Sequence, residues 1–222
     1  MKAANILQDL IYLEYLEIPP GAYQNKVRYY EKHERALNRL PFDVLFEIRI
    51  DYSRALFASK EYMKFLVIID KLIETTITSD IFELNGVDIY LELLHKKAKA
   101  AYFSADYKTA EFIFSELIKI KPEDNCTKKE YFINAVEYLR YQGQSIRATI
   151  ILLFLFSGIL IAFELFIVRT VFVDQTWWFE YTRNTIMVLG ITLFALNEAK
   201  IRFAAKREYK KLAKTTKPHV IY

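Results

Sequence analysis

Few side chains in this sequence are placed to do chemistry. Its histidines are His33, His95 and His219, and its one cysteine is Cys126. They make no metal-ligand spacing, and no glycine-rich phosphate loop is present. No Ser/His/Asp arrangement is suggested either. A single cysteine leaves no intrachain disulfide and fits a reducing compartment. One pair has a reactive spacing: Arg28 and His33 in RYYEKH, five residues apart on a predicted helix. Such a pair could stabilise and protonate the oxygens of a scissile phosphate. A helix this charged also brings Arg and His together by chance, as solvated neighbours. No enzymatic activity, cofactor or metal is expected.

The elements that would position any site are organised around residues 148–173, ATIILLFLFSGILIAFELFIVRTVFV. The first 16 of these residues carry no charge. About 20 helical residues span the ~30 Å hydrocarbon core of a bilayer, so 148–170 is expected to cross one. The chain is 53% hydrophobic yet 26% charged, which suits a soluble domain joined to a membrane segment. Residues 198–222 hold 8 Lys/Arg against 2 Asp/Glu, while the remainder is close to balance. The net charge of +4 therefore belongs to the tail, and no nucleic-acid partner is expected for the main domain.

Apolar residues at helical spacing predict helices over 3–17, 22–39, 43–59, 61–75, 88–104, 107–120 and 127–142. A capped turn or short helix is expected at 79–86. Pro19-Pro20, Pro41 and Pro122 punctuate the series, because proline lacks the N–H that a helix interior needs. No stretch alternates for long enough to predict a strand. The expected architecture is all-α. An antiparallel helix-hairpin stack fills 1–145, a two-helix transmembrane hairpin fills 146–205, and a basic tail occupies 206–222.

Residues 91–122 resemble the tetratricopeptide repeat. Ala98 and Ala110 stand at its small positions, Tyr107 at its aromatic position, Phe114 at its bulky position and Pro122 at its closing proline. The small residues let paired helices approach, and the aromatic fills the turn. A looser copy over about 46–77 has Ser53 and Tyr62 in register but Phe65 where a small residue belongs. A fainter one around Tyr23 has Lys26 there. The resemblance implies that inward-facing positions bind a partner segment. These are Glu47, Ile50, Arg54 and Phe57 in the looser copy, and Glu92, His95, Lys99 and Tyr102 in the better one. Mixed charge with an aromatic suits a peptide groove; the plainer reading is a solvated helix face. The Arg28–His33 spacing resembles that of HEPN-like helical ribonucleases of prokaryotic toxin and defence systems. Tyr29, however, replaces the polar residue usual after the arginine.

Beyond the first span, Trp177, Trp178 and Tyr181 cluster as an interfacial belt. The next apolar run, 185–196, has only 12 residues, yet no proline interrupts 181–205. A second, short or tilted span over 182–201 is expected. Arg140 and Arg147 precede the hairpin and eight basic residues follow it, while the connecting loop has Arg169 and Arg183 only. The positive-inside rule then places both termini in the cytoplasm, as in a bacterial inner membrane. In the tail, Ile201, Ala205, Tyr209 and Leu212 recur at helical spacing. They mark either a basic helix against anionic headgroups or a solvated helix end. Glu164 falls near the far interface, where it pairs with Arg183 across the hairpin, snorkels to water or lies on an ion or proton path, for which a single acidic residue offers no relay. Gly158 and Ala162 form a small-xxx-small pair that would let helices pack closely, and a homo-oligomer through the hairpin is a further option.

The resulting expectation is a membrane-anchored adaptor that holds a cytoplasmic protein or peptide at the lipid bilayer without catalysis. The alternative is a membrane effector, of toxin or antiviral-defence type, whose hairpins oligomerise to permeabilise the membrane. The helical ribonuclease comes third.

Overall fold

The computed structural model describes residues 10–84, 86–168 and 176–215. These form α1 (10–16), α2 (Tyr23–Leu37), α3 (Phe42–Ala58), α4 (Tyr62–Thr78), α5 (Ile89–Phe103) and α6 (Tyr107–Ile120). Then come α7 (Asn125–Gln142), α8 (Gln144–Phe163) with a π-helical continuation Glu164–Val168, and α9 (Thr176–Thr215). The architecture is all-α, as expected, apart from one short antiparallel ladder of β1 (Glu83–Leu84) with β2 (Val87–Asp88). The ladder corrects the turn or short helix expected at 79–86. Gly86 takes φ +77°, a conformation open to glycine, and reverses the chain there. The first turns of the helix expected at 3–17, Arg169 and His219 lie outside the described residues.

The chain divides into two compact units, Met1–Lys128 and Lys129–Tyr222. In the first, each of α2 to α5 packs on the next. The connections are short, which makes neighbouring helices antiparallel. The result is a stack of helical hairpins, compatible with a helical-repeat domain. Its core includes the fully buried Leu37, Ile50, Leu56, Phe65, Ile69, Ile89 and Leu93. The residues that carried the resemblance lie where packing requires. Ala98 and Ala110 are fully buried, Phe114 is 1% exposed, and Ser53 of the looser copy is fully buried.

Two hairpins correspond at an offset of 45 residues. Lys60 and Ala105 both take left-handed φ, at 62° and 60°. Each ends its helix with an N–H reaching back five residues, Glu61 to Leu56 and Asp106 to Ala101. This is a Schellman closure, which satisfies carbonyls otherwise orphaned at a helix end. Next to each turn an aromatic pair meets edge-on, Phe57–Tyr62 at 5.5 Å and Tyr102–Tyr107 at 5.8 Å. Phe65, placed where the repeat has a small residue, is fully buried and packs edge-on against Phe57.

The second unit is an antiparallel pairing of α7 and α8 against α9. Successive contacts run in opposite directions along the two strands of the pairing: Tyr131 with Tyr209, Ala135 and Val136 with Ile201 and Ala205, Phe154 with Gly190, and Glu164 with Arg183. On α8 the residues buried by this seam are Ile150, Ser157, Glu164 and Val168. Their spacings of seven, seven and four follow one helix face. Gly158 and Ala162 lie off that face and are exposed, so the close approach within the pairing falls to Ser157 and Gly190 instead.

Among the described residues one helix is long and apolar enough to cross a membrane, Gln144–Val168, with a mean hydropathy of 2.8. The second expected span does not reach that measure. Arg183, Asn184, Asn197 and Glu198 bracket its apolar run and cut it short. The helix that holds this run, α9, continues to Thr215.

Candidate partner-binding cleft

Three capping carboxylates shape the better-matched hairpin and its exit. Asp88 accepts the Leu91 N–H at 2.9 Å and starts α5; Asp106 accepts that of Thr109 at 3.2 Å and starts α6. Asp124 accepts the Cys126 N–H at 2.9 Å and the Thr127 hydroxyl at 2.5 Å, which starts α7. Each satisfies an N–H left without a partner at a helix N-terminus. The hydrogen bond from Thr127 lowers the Asp124 carboxyl from its usual range against the opposing effect of burial, helped by the backbone N–H of Cys126.

These caps leave an open cleft of about 480 Å³ between the ladder, α5 and the ends of α6 and α7. Val87, Leu91 and Leu117 give it an apolar lining. Asp88, Glu92, His95, Lys121, Asp124 and Cys126 give it polar groups of both signs. His95 stands edge-on to Phe114, with ring centroids 6.3 Å apart. Glu92 is the most constrained charge. Arg54 grips it with two hydrogen bonds of 2.9 and 2.6 Å, and Lys96 adds a third at 2.6 Å. Burial pushes the Glu92 carboxyl up, but the bonds from Arg54 and Lys96 outweigh it and hold the group at about 2. The Lys96 ammonium also lies 5.9 Å from the Phe57 ring centroid, a cation–π contact that joins α5 to α3.

The residues expected to bind a partner therefore divide. Glu92 and His95 come together in this cleft. Arg54 is spent on Glu92, and Phe57 lies under Lys96. Tyr102 packs at the α5–α6 turn, Lys99 is half-buried on α5, and Glu47 is exposed on α3 away from the cleft lining. Ile50, read as facing inward to a partner, is fully buried in the core, because its face of α3 meets the neighbouring helices. The cleft residues without a forewarning are Lys121, Asp124 and Cys126. The signal that could have found Asp124 is its residue type directly before the helix start, which suits an N-cap.

A second cleft of about 260 Å³ lies among α2, α3 and α4. It is floored by the stacked rings of Tyr30 and Tyr52, 3.9 Å apart, with Glu34 on one rim and Arg49 and Lys71 on another. Arg28 and His33 line neither cleft. His33 stacks on Tyr29 at 4.5 Å, and Arg28 is exposed.

In the second unit, Glu164 is 1% exposed and accepts a 2.6 Å hydrogen bond from Arg183. Trp177, Trp178 and Tyr181 are exposed at the first turns of α9. No metal-binding group of three or more His, Cys, Asp or Glu side chains occurs among the described residues. No family model matches the chain, and neither a curated protein nor a solved structure matches it.

Proposed function

We propose that the protein is a membrane-anchored helical-repeat adaptor of the tetratricopeptide type, which captures a cytoplasmic protein segment in the cleft between α5, α6 and the start of α7. The observation that carries this reading is the convergence of Glu92 and His95, two of the expected partner contacts, on one open cleft with apolar lining and charges of both signs. Peptide grooves combine those features. The membrane-length helix Gln144–Val168 supports the anchor.

In this reading α9 crosses beside α8 and both termini face the cytoplasm. Trp177 and Phe203 are 26 residues apart on one helix, about 39 Å. That is close to the thickness of a bilayer with its headgroups, roughly 40–45 Å. The apolar run is short, but the charge on Arg183 is met by Glu164 and that on Glu198 by Arg140. Paired charges near the ends of a span cost less than bare ones.

The test is affinity purification in mild detergent, comparing wild type with the Lys121→Glu and His95→Glu variants. Neither substitution removes a cap or the Arg54–Glu92 bridge, so the fold should persist. The adaptor reading expects a stoichiometric protein partner that both variants lose. Dye uptake on overexpression with no partner recovered would support the permeabilising effector instead.

A further inference from the structure

The stripe Ile201, Ala205, Tyr209 and Leu212 was open to two readings, a basic helix against anionic headgroups or a solvated helix end. Ile201 and Ala205 are buried against Ala135 and Val136 of α7, and Tyr209 meets Tyr131 at 6.4 Å. Lipid cannot cover that face. The opposite face of α9 carries a different arrangement. Phe203 is 74% exposed. One turn to either side of it stand Lys200, Lys206 and Arg207, all exposed. None of these three cations has a hydrogen bond or ion pair among the described residues. Their neighbour Arg202 differs, because it is held by Glu198 at 3.1 Å. Leu196, seven residues before Phe203 and 63% exposed, extends the same face back into the apolar run.

We infer that Lys200, Phe203, Lys206 and Arg207 form a collar that seats on anionic lipid headgroups at the membrane surface. The inference rests on the anchored reading above, in which α9 stands across the bilayer. An aromatic ring ringed by unpaired cations, just past the end of an apolar segment, fits the headgroup layer. There the ring enters the acyl boundary and the cations meet phosphates. The continuity of α9 limits the collar to these residues. A helix that rises about 1.5 Å per residue carries Lys210 and Lys211 roughly 10 Å beyond Phe203, about one Debye length at physiological salt. Those distal cations belong to solution and contribute little to lipid binding.

The experiment uses the full-length protein, purified from membranes in uncharged detergent, with native mass spectrometry as the readout. The probes are phosphatidylglycerol, phosphatidylcholine and inorganic phosphate. Wild type should retain phosphatidylglycerol about tenfold over phosphatidylcholine and show no adduct with phosphate. The triple variant Lys200→Ser/Lys206→Ser/Arg207→Ser should lose that preference, and Phe203→Ser should reduce it. Lys210→Ser/Lys211→Ser should leave it intact. Equal retention by the triple variant, equal loss in the distal variant, or competition by inorganic phosphate overturns the collar. Carbonate extraction of each variant separates the two claims. A protein that stays in the membrane pellet but lacks lipid preference rejects the collar alone, whereas one released from the membrane rejects the anchor and the collar together.

Discussion

Glu164 on the π-helical turn and Arg183 on α9 are joined by a 2.6 Å hydrogen bond, with the carboxylate 1% exposed. The guanidinium is less deeply covered, at 23%. A π-helical turn spreads its residues around the axis differently from an α-helix, and such turns recur at functional sites. Here the turn begins at Glu164 and keeps both Glu164 and Val168 on the packed face. Breaking one side of the pair should leave a buried, uncompensated charge. Glu164→Leu or Arg183→Leu alone should each destabilise the second unit by about 3 kcal/mol, and the double variant should recover most of that loss. Thermal unfolding in detergent measures the cycle; strictly additive losses would show that the two side chains act independently.

The Arg54–Glu92 bridge sets an acid limit on the first unit. The folded-state value for Glu92 is about 2, below an ordinary glutamate near 4.3. Its stabilisation is therefore complete above pH ~4.3 and is lost as pH falls toward 2. Glu92→Gln should cost about 2 kcal/mol at pH 7 and flatten the stability–pH curve in that window. Urea unfolding of the full chain at pH 7, 4 and 3 checks both parts; a variant curve parallel to that of wild type would contradict the bridge.

Two glycines in the second unit separate packed from open faces. A Cβ on Gly190 would meet the Phe154 ring at 3.5 Å, whereas one on Gly158 would meet nothing within 4 Å. Gly190→Leu should therefore lower the thermal midpoint, at a cost of about 1–3 kcal/mol from overpacking. Gly158→Leu should leave it unchanged for the isolated chain. If Gly158→Leu proves the more damaging, that face contacts something else, and a second copy of the chain is the first candidate.

Topology is accessible through the single cysteine. Cys126 is exposed. In the anchored reading it should react in intact cells only with membrane-permeant thiol reagents. A cysteine at Thr176, in a Cys126→Ser background, should react with impermeant reagents, because the first turn of α9 lies on the far side. Labelling of Thr176→Cys only after lysis would remove the second crossing.

Much of the local structure was legible in the sequence. The helix expected at 107–120 is α6, Tyr107–Ile120, and the helix expected at 88–104 is α5, Ile89–Phe103, with Asp88 as its cap. What escaped was set by geometry that leaves no local mark. Lys60, Asp80 and Ala105 close helices in the left-handed conformation that usually calls for glycine, so the shared turn was invisible to residue type. Arg54 and Glu92 are 38 residues apart, and helical periodicity shows only that each lies near one face, not that they meet. The α9 stripe illustrates the same limit. Its spacing left lipid contact and a solvated helix end open, and the fold shows neither: Ile201 and Ala205 are buried against α7.

Capture of a protein segment at the membrane by the α5–α6 cleft can be read by site-specific photocrosslinking in intact cells. A photoreactive amino acid is placed at His95 in the cleft and, as the control, at Phe112, which is 65% exposed on α6 outside the cleft lining. One discrete protein adduct is expected from position 95 in the membrane fraction, lost in the Lys121→Glu background, and none from position 112. No adduct at 95, or the same adducts at both positions, would contradict it.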